Sequence, residues 1–172
     1  MARLYNSPKM SVVTMDNNSI LCSSSPIRKN VEEPISLSTA NNSIYTSLSQ
    51  RQKLAAMNLL KVFGSTSPCT PQNLDKINHI MSVEAGKMEV SSTQIHAAWD
   101  TFSGMPDMVN TLKGANRSAL ESLFWAYYCI VAVGKSAQAV QVLLGVYRDL
   151  GFSEQECVDF LERRTGIKLD EL

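Results

Sequence analysis

The spacing of apolar residues changes near residue 47. Beyond that point apolar side chains recur every three or four residues between short polar stretches, which is the pattern of amphipathic helices. No segment alternates with a period of two, so the predicted fold is all-α: a compact bundle of about seven short helices with short connections. The predicted helices begin near Leu48, Pro71, Ser91, Pro106, Arg117, Ser136 and Ser153.

Residues that cap helix N-termini stand before several of these segments. Thr70 directly precedes Pro71, and proline suits the first helical position because its missing N–H leaves no donor unpaired. Ser91 with Gln94 has the spacing of a capping box, and the run Ser153–Glu156 has it again. These signals predict where the second, third and seventh helices begin.

Glycines follow the predicted helices and are expected to end them. Gly64 is predicted to supply a left-handed stop to the first helix, Gly86 to end the second and Gly134 to break the fifth. The other predicted ends are marked by Gly104, Gly114, Gly151 and Gly166.

Two predicted helices have informative apolar faces. The segment 117–133 is apolar almost all round, which predicts a central buried helix. Its aromatic cluster is expected to be core rather than part of a cofactor site: Phe124, Trp125, Tyr127 and Tyr128. The first helix repeats at three- and four-residue spacing through Leu54, Met57, Leu60 and Lys61.

Residues 1–46 have a different texture. They are crowded with Ser, Asn and Thr, and they hold three of the six prolines. Such a stretch buries too little apolar surface to offset the cost of ordering its backbone, so it is predicted to be a disordered or loosely attached tail, with the helical domain at 47–172. An alternative for its isolated apolar residues is docking on the domain as a short strap: Ile35, Leu37, Ile44 and Tyr45.

Charge and cysteine usage narrow the classes of partner and compartment. Sixteen basic and 16 acidic residues give a formal net charge of zero, so nucleic acid is not an expected partner. No apolar run approaches the ~20 residues that span a bilayer, and no signal peptide is visible, so no membrane association is expected. The cysteines form no C-x-x-C pair, which favours reduced thiols in the cytoplasm: Cys22, Cys69, Cys129 and Cys157.

No arrangement of residues indicates catalysis, so the sequence predicts no enzyme and no cofactor or metal. Burial in the fifth helix is expected to raise the pKa of the Cys129 thiol and so lower its reactivity. His79 is interpreted as a helix-surface or hydrogen-bonded core histidine and not as a base for this thiol. The run 134–136, Gly-Lys-Ser, lacks the earlier glycine and the preceding strand of a phosphate loop, so it is interpreted as a helix stop and a cap. Carboxylates are predicted on solvated faces: Asp75, Glu84, Glu89, Asp100, Asp107 and Glu121.

The order of elements suggests an internal repeat. Residues 54–102 and 120–161 each run through an apolar helix, a glycine, a polar turn, an amphipathic helix, a glycine and a capped helix. Two such three-helix units are predicted to pack about a pseudo-twofold axis, because one unit alone cannot cover its apolar stripes.

The run 150–156, Leu-Gly-Phe-Ser-Glu-Gln-Glu, resembles a helix start of the TerB-like, tellurite-resistance-associated helical family. In that family, paired acids in Asp-Gly turns and downstream glutamates are associated with a metal centre. Here the turns read Phe63-Gly64 and Val133-Gly134, and the downstream positions fall near Asn73 and near Ala139 or Val140. The resemblance therefore implies the fold of this family without its metal.

The expected function is a non-enzymatic intracellular module that binds an unidentified protein partner or self-associates as a homo-oligomer. Its candidate contact is a short helix bearing Met105, Pro106 and Met108, since methionines suit an adaptable binding groove. The alternative is a metal- or ligand-binding TerB-like stress-response protein with a non-standard site.

Overall fold

The computed structural model describes residues 42–167, and within that range every regular element is helical. The all-α prediction is confirmed. A 3₁₀ helix at Asn42–Ser47 precedes seven α-helices, which are α1 Gln50–Gly64, α2 Pro71–Met88, α3 Ser92–Trp99, α4 Met105–Leu112, α5 Arg117–Gly134, α6 Ala137–Asp149 and α7 Glu154–Thr165.

The helix starts follow the predicted caps. Thr70 Oγ1 accepts a hydrogen bond from the backbone N–H of Asn73, with Pro71 at the first helical position. Both predicted capping boxes form, at the starts of α3 and α7. A third box was not predicted: Ser49 and Gln52 exchange the same pair of bonds at the start of α1, which begins at Gln50 rather than near Leu48.

Two of the predicted glycine stops are wrong, the left-handed stop at Gly64 and the helix end at Gly86, whereas Gly134 ends α5 as predicted. Gly64 is the last residue of α1, and the residue that caps it, Ser65, is right-handed. Gly86 lies inside α2, which continues until Glu89 turns left-handed with φ 56°. At the end of α5 the left-handed residue is Lys135, with φ 51°. Positive φ does occur at the other four predicted stops: Gly104, Gly114, Gly151 and Gly166.

Gly134 is required by a close approach of two backbones. A Cβ atom at this position would lie 2.6 Å from Ser67 Oγ and 3.1 Å from Ser67 Cα, in the turn between α1 and α2. Real Cβ atoms essentially never come as close as 2.6 Å to another heavy atom, and the 3.1 Å approach to backbone is tighter than most, so only glycine fits without a shift of Ser67. The end of α5 is thereby fixed against the end of α1.

The core is built around α5, as the sequence predicted, and this helix contacts α1, α2, α6 and α7. Rings from three helices interlock: Phe63 and Tyr127 have centroids 5.3 Å apart, and Phe124 and Tyr147 have centroids 4.7 Å apart. The buried phenols keep their hydrogen bonds, since Tyr127 donates to the carbonyl of Ala56 and Tyr147 to that of Leu120.

The N-terminal end of the described chain packs against α2 and α5. The 3₁₀ helix contacts both, with the side chains of Tyr45 and Leu48 buried and that of Ile44 exposed. The predicted strap residues Ile35 and Leu37, together with most of the predicted tail, lie outside the described residues.

Candidate interaction surface

The outer side of α5 carries large side chains that the core does not fully cover. A helix turns by about 100° per residue, so the pair Trp125 and Tyr128 is centred about 100° around the α5 axis from the pair Phe124 and Tyr127. Phe124 and Tyr127 are buried, whereas Trp125 and Tyr128 are only half-buried. The expectation that this cluster is core therefore holds for the first pair, and the second pair lies at the edge of the core.

Trp125 and Tyr128 form a stacked pair on this outer side. Their ring centroids are 6.2 Å apart, with 26° between the ring planes. From α7, the guanidinium carbon of Arg164 lies 5.7 Å from the centroid of the indole ring of Trp125. We call the surface formed by Trp125, Tyr128, Cys129, Arg164 and Lys87 the aromatic face.

A buried carboxylate borders the aromatic face on α2. The phenol of Tyr45 donates a 2.7 Å hydrogen bond to Glu84 Oε2, and the ammonium of Lys87 lies 2.7 Å from Glu84 Oε1. The prediction that Glu84 lies on a solvated face is wrong, because only 6% of it is exposed. A carboxylate is buried here because each of its oxygens receives a donor, one of them charged.

Cys129 lies among these charges. Its thiol pKa is raised, first by burial and then by the negative charge of Glu84, while Arg164 and Lys87 act in the opposite direction. A raised pKa keeps the thiol protonated at neutral pH and makes it a poor nucleophile. His79, the base considered for it, is exposed on α2.

The two cations of the aromatic face, Lys87 and Arg164, differ in whether they pair with a carboxylate. Lys87 forms an ion pair with Glu84. Arg164, in contrast, forms no ion pair with any carboxylate of residues 42–167, and its contact there is the indole of Trp125. The aromatic face thus presents the guanidinium of Arg164 next to the rings of Trp125 and Tyr128.

A second polar cluster lies inside the molecule, where α1 crosses α3. Lys61 is only 2% exposed, and its ammonium lies 4.7 Å from the centroid of the Trp99 ring. Burial lowers the pKa of Lys61, and the negative charge of Asp100 opposes that shift. Asn58, one turn earlier, donates to the carbonyls of Leu54 and Ile95, while its own Oδ1 is buried without a partner in the described range.

A third cluster joins the starts of α5 and α7. The guanidinium of Arg117 pairs with Glu156 and lies 3.8 Å from Glu121, and its carbon is 4.2 Å from the centroid of the Phe152 ring. The pKa of Glu156 is lowered, first by the hydrogen bond from the backbone of Ser153. Because Arg117 finds both of its carboxylates within the chain, we interpret this cluster as a link between two helices and not as a contact for a partner.

Beneath this cluster lies a small, open depression in the surface. Its lining is mainly aromatic, with two carboxylates at its edge: Glu121, Phe124, Tyr147, Phe152, Glu156, Cys157 and Phe160. Burial raises the pKa of the Cys157 thiol to about 11, and the charges of Glu156 and Glu154 add to the effect. That thiol is therefore protonated at neutral pH, and the depression presents no nucleophile.

The residues predicted to form a partner contact lie on α4, which packs against α1. Pro106 is exposed and Met105 is half-buried, but Met108 is in the core with 1% of its surface exposed. Met57, Met81 and Met88 are buried as well. A binding role for Met105, Pro106 and Met108 stays a prediction.

Comparisons with family models, with curated proteins and with solved structures give no match. The TerB-like resemblance, the internal repeat and the metal-binding alternative therefore stay predictions. Within residues 42–167 no group of three or more His, Cys, Asp or Glu side chains is placed to hold a metal ion. No helix in the same range is long and apolar enough to cross a membrane.

The run 134–136 is confirmed as a helix stop and a cap. Gly134 ends α5, Lys135 turns left-handed, and Ser136 Oγ accepts a hydrogen bond from the backbone N–H of Ala139 at the start of α6. The serine that a phosphate loop would use for its ligand is thus occupied by the helix that follows.

Proposed function

We propose that this protein is an intracellular, non-enzymatic interaction module whose aromatic face binds a segment of another protein. The segment supplies apolar side chains to Trp125 and Tyr128 and a carboxylate to Arg164. One observation carries the proposal: a stacked, half-exposed Trp–Tyr pair lies beside an arginine that has no carboxylate partner within residues 42–167.

The residue types of the aromatic face support this role. Trp, Tyr and Arg are the side chains most enriched among residues that dominate binding energy in protein interfaces. Trp125 and Tyr128 are carried by the central helix of the core, so their backbone is held in place before a partner arrives. A preformed contact loses little conformational entropy when it binds.

The charge of the surface supports an acidic partner. Arg164 presents a planar guanidinium, which pairs well with carboxylates. Lys87 adds a second cation, although Glu84 already neutralises it in part. Apolar residues flanked by Asp or Glu would therefore bind better than the same residues flanked by Lys or Arg.

The proposal involves no catalytic step at this surface. Cys129 is the only thiol in the aromatic face, and its raised pKa leaves it protonated at neutral pH. The remaining members contribute two rings and two cations, which suit recognition of apolar and acidic groups.

A panel of fluorescent peptides tests the proposal. The peptides have equal length and the same two leucines, and their flanking residues give net charges of about −2, 0 and +2. We expect saturable binding to the full chain that is tightest for the most acidic peptide. Trp125→Ala should weaken all three peptides, because the ring contact is common to them.

Charge reversal at Arg164 provides the discriminating variant. Arg164→Glu should weaken the acidic peptide and strengthen the basic one, each by about two- to fivefold, which is typical of an exposed ion pair. Arg148→Glu on α6 is the matched control, since Arg148 is likewise exposed near a helix C-terminus. If no peptide binds saturably, or if the control variant shifts the charge preference equally, the proposal is wrong.

A further inference from the structure

We infer that the aromatic face has a partner within the chain itself, namely residues 31–37, which cover Trp125 and Tyr128 until another protein displaces them. The inference rests on the proposed function, because it assigns a competing occupant to the same surface. Three observations carry it. The described chain begins beside the aromatic face, the residues that precede it are both acidic and apolar, and Arg164 has no carboxylate partner within residues 42–167.

The described chain begins beside the aromatic face. Tyr45, in the first turn of the described chain, is held by the hydrogen bond to Glu84 on α2. It is also close enough to Arg164 for that charge to act on its phenol. Arg164 in turn contacts the ring of Trp125, so the chain preceding residue 42 starts from the edge of this surface.

The preceding sequence matches the surface in both charge and shape. Residues 31–37 read Val-Glu-Glu-Pro-Ile-Ser-Leu, and Glu32–Glu33 is the one pair of adjacent acids ahead of residue 42. Pro34 favours an extended backbone at Glu33, and Ile35 and Leu37 have the two-residue spacing that would put both side chains on one face if the segment binds as an extended strand. Such a segment would present two apolar side chains to the rings and its carboxylates to the guanidinium.

The distances allow this contact. Eight residues separate Glu33 from Asn42. Extended, they span up to ~28 Å, since each residue covers at most ~3.5 Å. The outer side of α5 from Glu121 to Ala132 is only about 17 Å long at 1.5 Å per residue.

Because residues 31–37 are tethered to the domain, even a weak contact would keep them bound to the aromatic face. A short linker holds a segment near its site at an effective concentration on the order of 1 mM. With an intrinsic dissociation constant on the order of 0.1 mM, the surface would be occupied most of the time, and an external segment would bind about tenfold more weakly. The segment would thus set a threshold that a true partner must exceed.

Quenching of Trp125 fluorescence tests the contact in the full chain. Trp99→Phe leaves Trp125 as the only indole, because the chain has two tryptophans. In this background Ile35→Ser with Leu37→Ser should raise the acrylamide quenching constant on the order of twofold, as expected if the segment is bound most of the time. The matched control, Ile20→Ser with Leu21→Ser, removes two apolar residues further upstream and should leave quenching unchanged.

Other occupants give different results. If protection of Trp125 grows with protein concentration, the segment comes from a second copy, and the inference is overturned. If Asp170→Asn with Glu171→Gln raises the quenching constant and the change at 35 and 37 does not, the C-terminal residues are the occupant, and the inference is again overturned. Equal quenching in every variant also contradicts it.

A synthetic peptide of residues 29–39 separates failure of this inference from failure of the proposed function. It should bind the chain carrying Ile35→Ser and Leu37→Ser about tenfold more tightly than the unaltered chain, in which the tethered segment competes. Equal, measurable affinities would contradict the tethered contact and leave the proposed function standing. Absence of binding to both chains would overturn this inference alone, because the panel of charged peptides tests the proposed function separately.

Discussion

Two regions of this molecule place a cation against an indole ring, and they differ in access to water. Between α1 and α3, Lys61 is 2% exposed and its ammonium is 4.7 Å from the centroid of Trp99. Between α7 and α5, Arg164 is exposed and its guanidinium carbon is 5.7 Å from the centroid of Trp125. A cation–indole pair therefore occurs once inside the bundle, with an ammonium, and once at its edge, with a guanidinium.

The difference shows how burial decides what a charged pair contributes. A buried ammonium loses its hydration, so its charged form is disfavoured and its pKa falls. The exposed guanidinium keeps its water and its charge, and it remains open to an incoming carboxylate. The inner pair fixes how two helices cross at a cost in stability, whereas the outer pair costs little and can serve recognition.

The largest expected effect is at Asn58, which supports the inner region. Asn58→Ala removes two donated hydrogen bonds and leaves a cavity, so the free energy of unfolding should fall by about 2 to 3 kcal/mol. Ser122→Ala, on the outer side of α5, is the control and should change it by less than about 0.5 kcal/mol. Urea unfolding monitored by circular dichroism measures both, and equal losses would remove the distinction between the two regions.

Replacement of each cation by methionine tests the comparison directly. Lys61→Met keeps most of the buried stem but removes the desolvated charge, so the free energy of unfolding should rise by about 1 kcal/mol. Arg164→Met should leave stability within about 0.5 kcal/mol, because the charge is already hydrated. A loss of stability in Lys61→Met would mean that the ammonium–indole attraction outweighs the cost of desolvation.

The pH dependence of stability should follow from Lys61. Its folded-state pKa is lowered from 10.5, so between the lowered value and 10.5 the unfolded chain binds more protons than the folded one. The free energy of unfolding therefore gains a contribution as pH rises through this window, and loses it as pH falls through the folded-state pKa.

Chemical unfolding at a series of pH values below 10.5 measures this contribution as the difference in slope between the unaltered chain and Lys61→Met. Burial raises the pKa values of Tyr127 and Tyr147, and these phenols lower stability only above about pH 10. Equal slopes in the two proteins would show that Lys61 does not titrate differently on folding.

The smallest expected effect concerns a thiol at the aromatic face. Cys129 is half-buried with a raised pKa, whereas Cys69 is exposed. In variants that retain one cysteine each, iodoacetamide should label Cys129 about threefold to tenfold more slowly than Cys69 near neutral pH. Faster labelling of Cys129 would mean that this face is more open than its half-buried rings indicate.

Much of the fold was predictable because local chemistry sets helix starts. Side chains such as Ser91 and Ser153 make their capping bonds within four residues, so the sequence pattern alone identifies them. Helix ends were less predictable, because α2 passes through Gly86 and stops at Glu89. Gly134 is fixed by contact with Ser67 across the fold, and no local pattern reveals such a contact.

The candidate surface was only partly predictable. Helical periodicity is enough to place Trp125 and Tyr128 about 100° around α5 from Phe124 and Tyr127, but it does not say which side other helices cover. The burial of Glu84 could not be foreseen, because its donor Tyr45 is 39 residues away in the sequence. Lys61 matched the apolar spacing of α1, and that spacing was the signal of its burial.

The hydrogen bond from Tyr45 to Glu84 has a consequence for proteolysis of this chain. An exopeptidase that trims the protein from its N-terminus would meet in Tyr45 a side chain that is 2% exposed. Removal of that residue would leave Glu84 Oε2 without its phenol donor, beneath the surface of α2. Trimming is therefore expected to pause before Tyr45. This residue then marks the N-terminus of the shortest fragment that we expect to be stable.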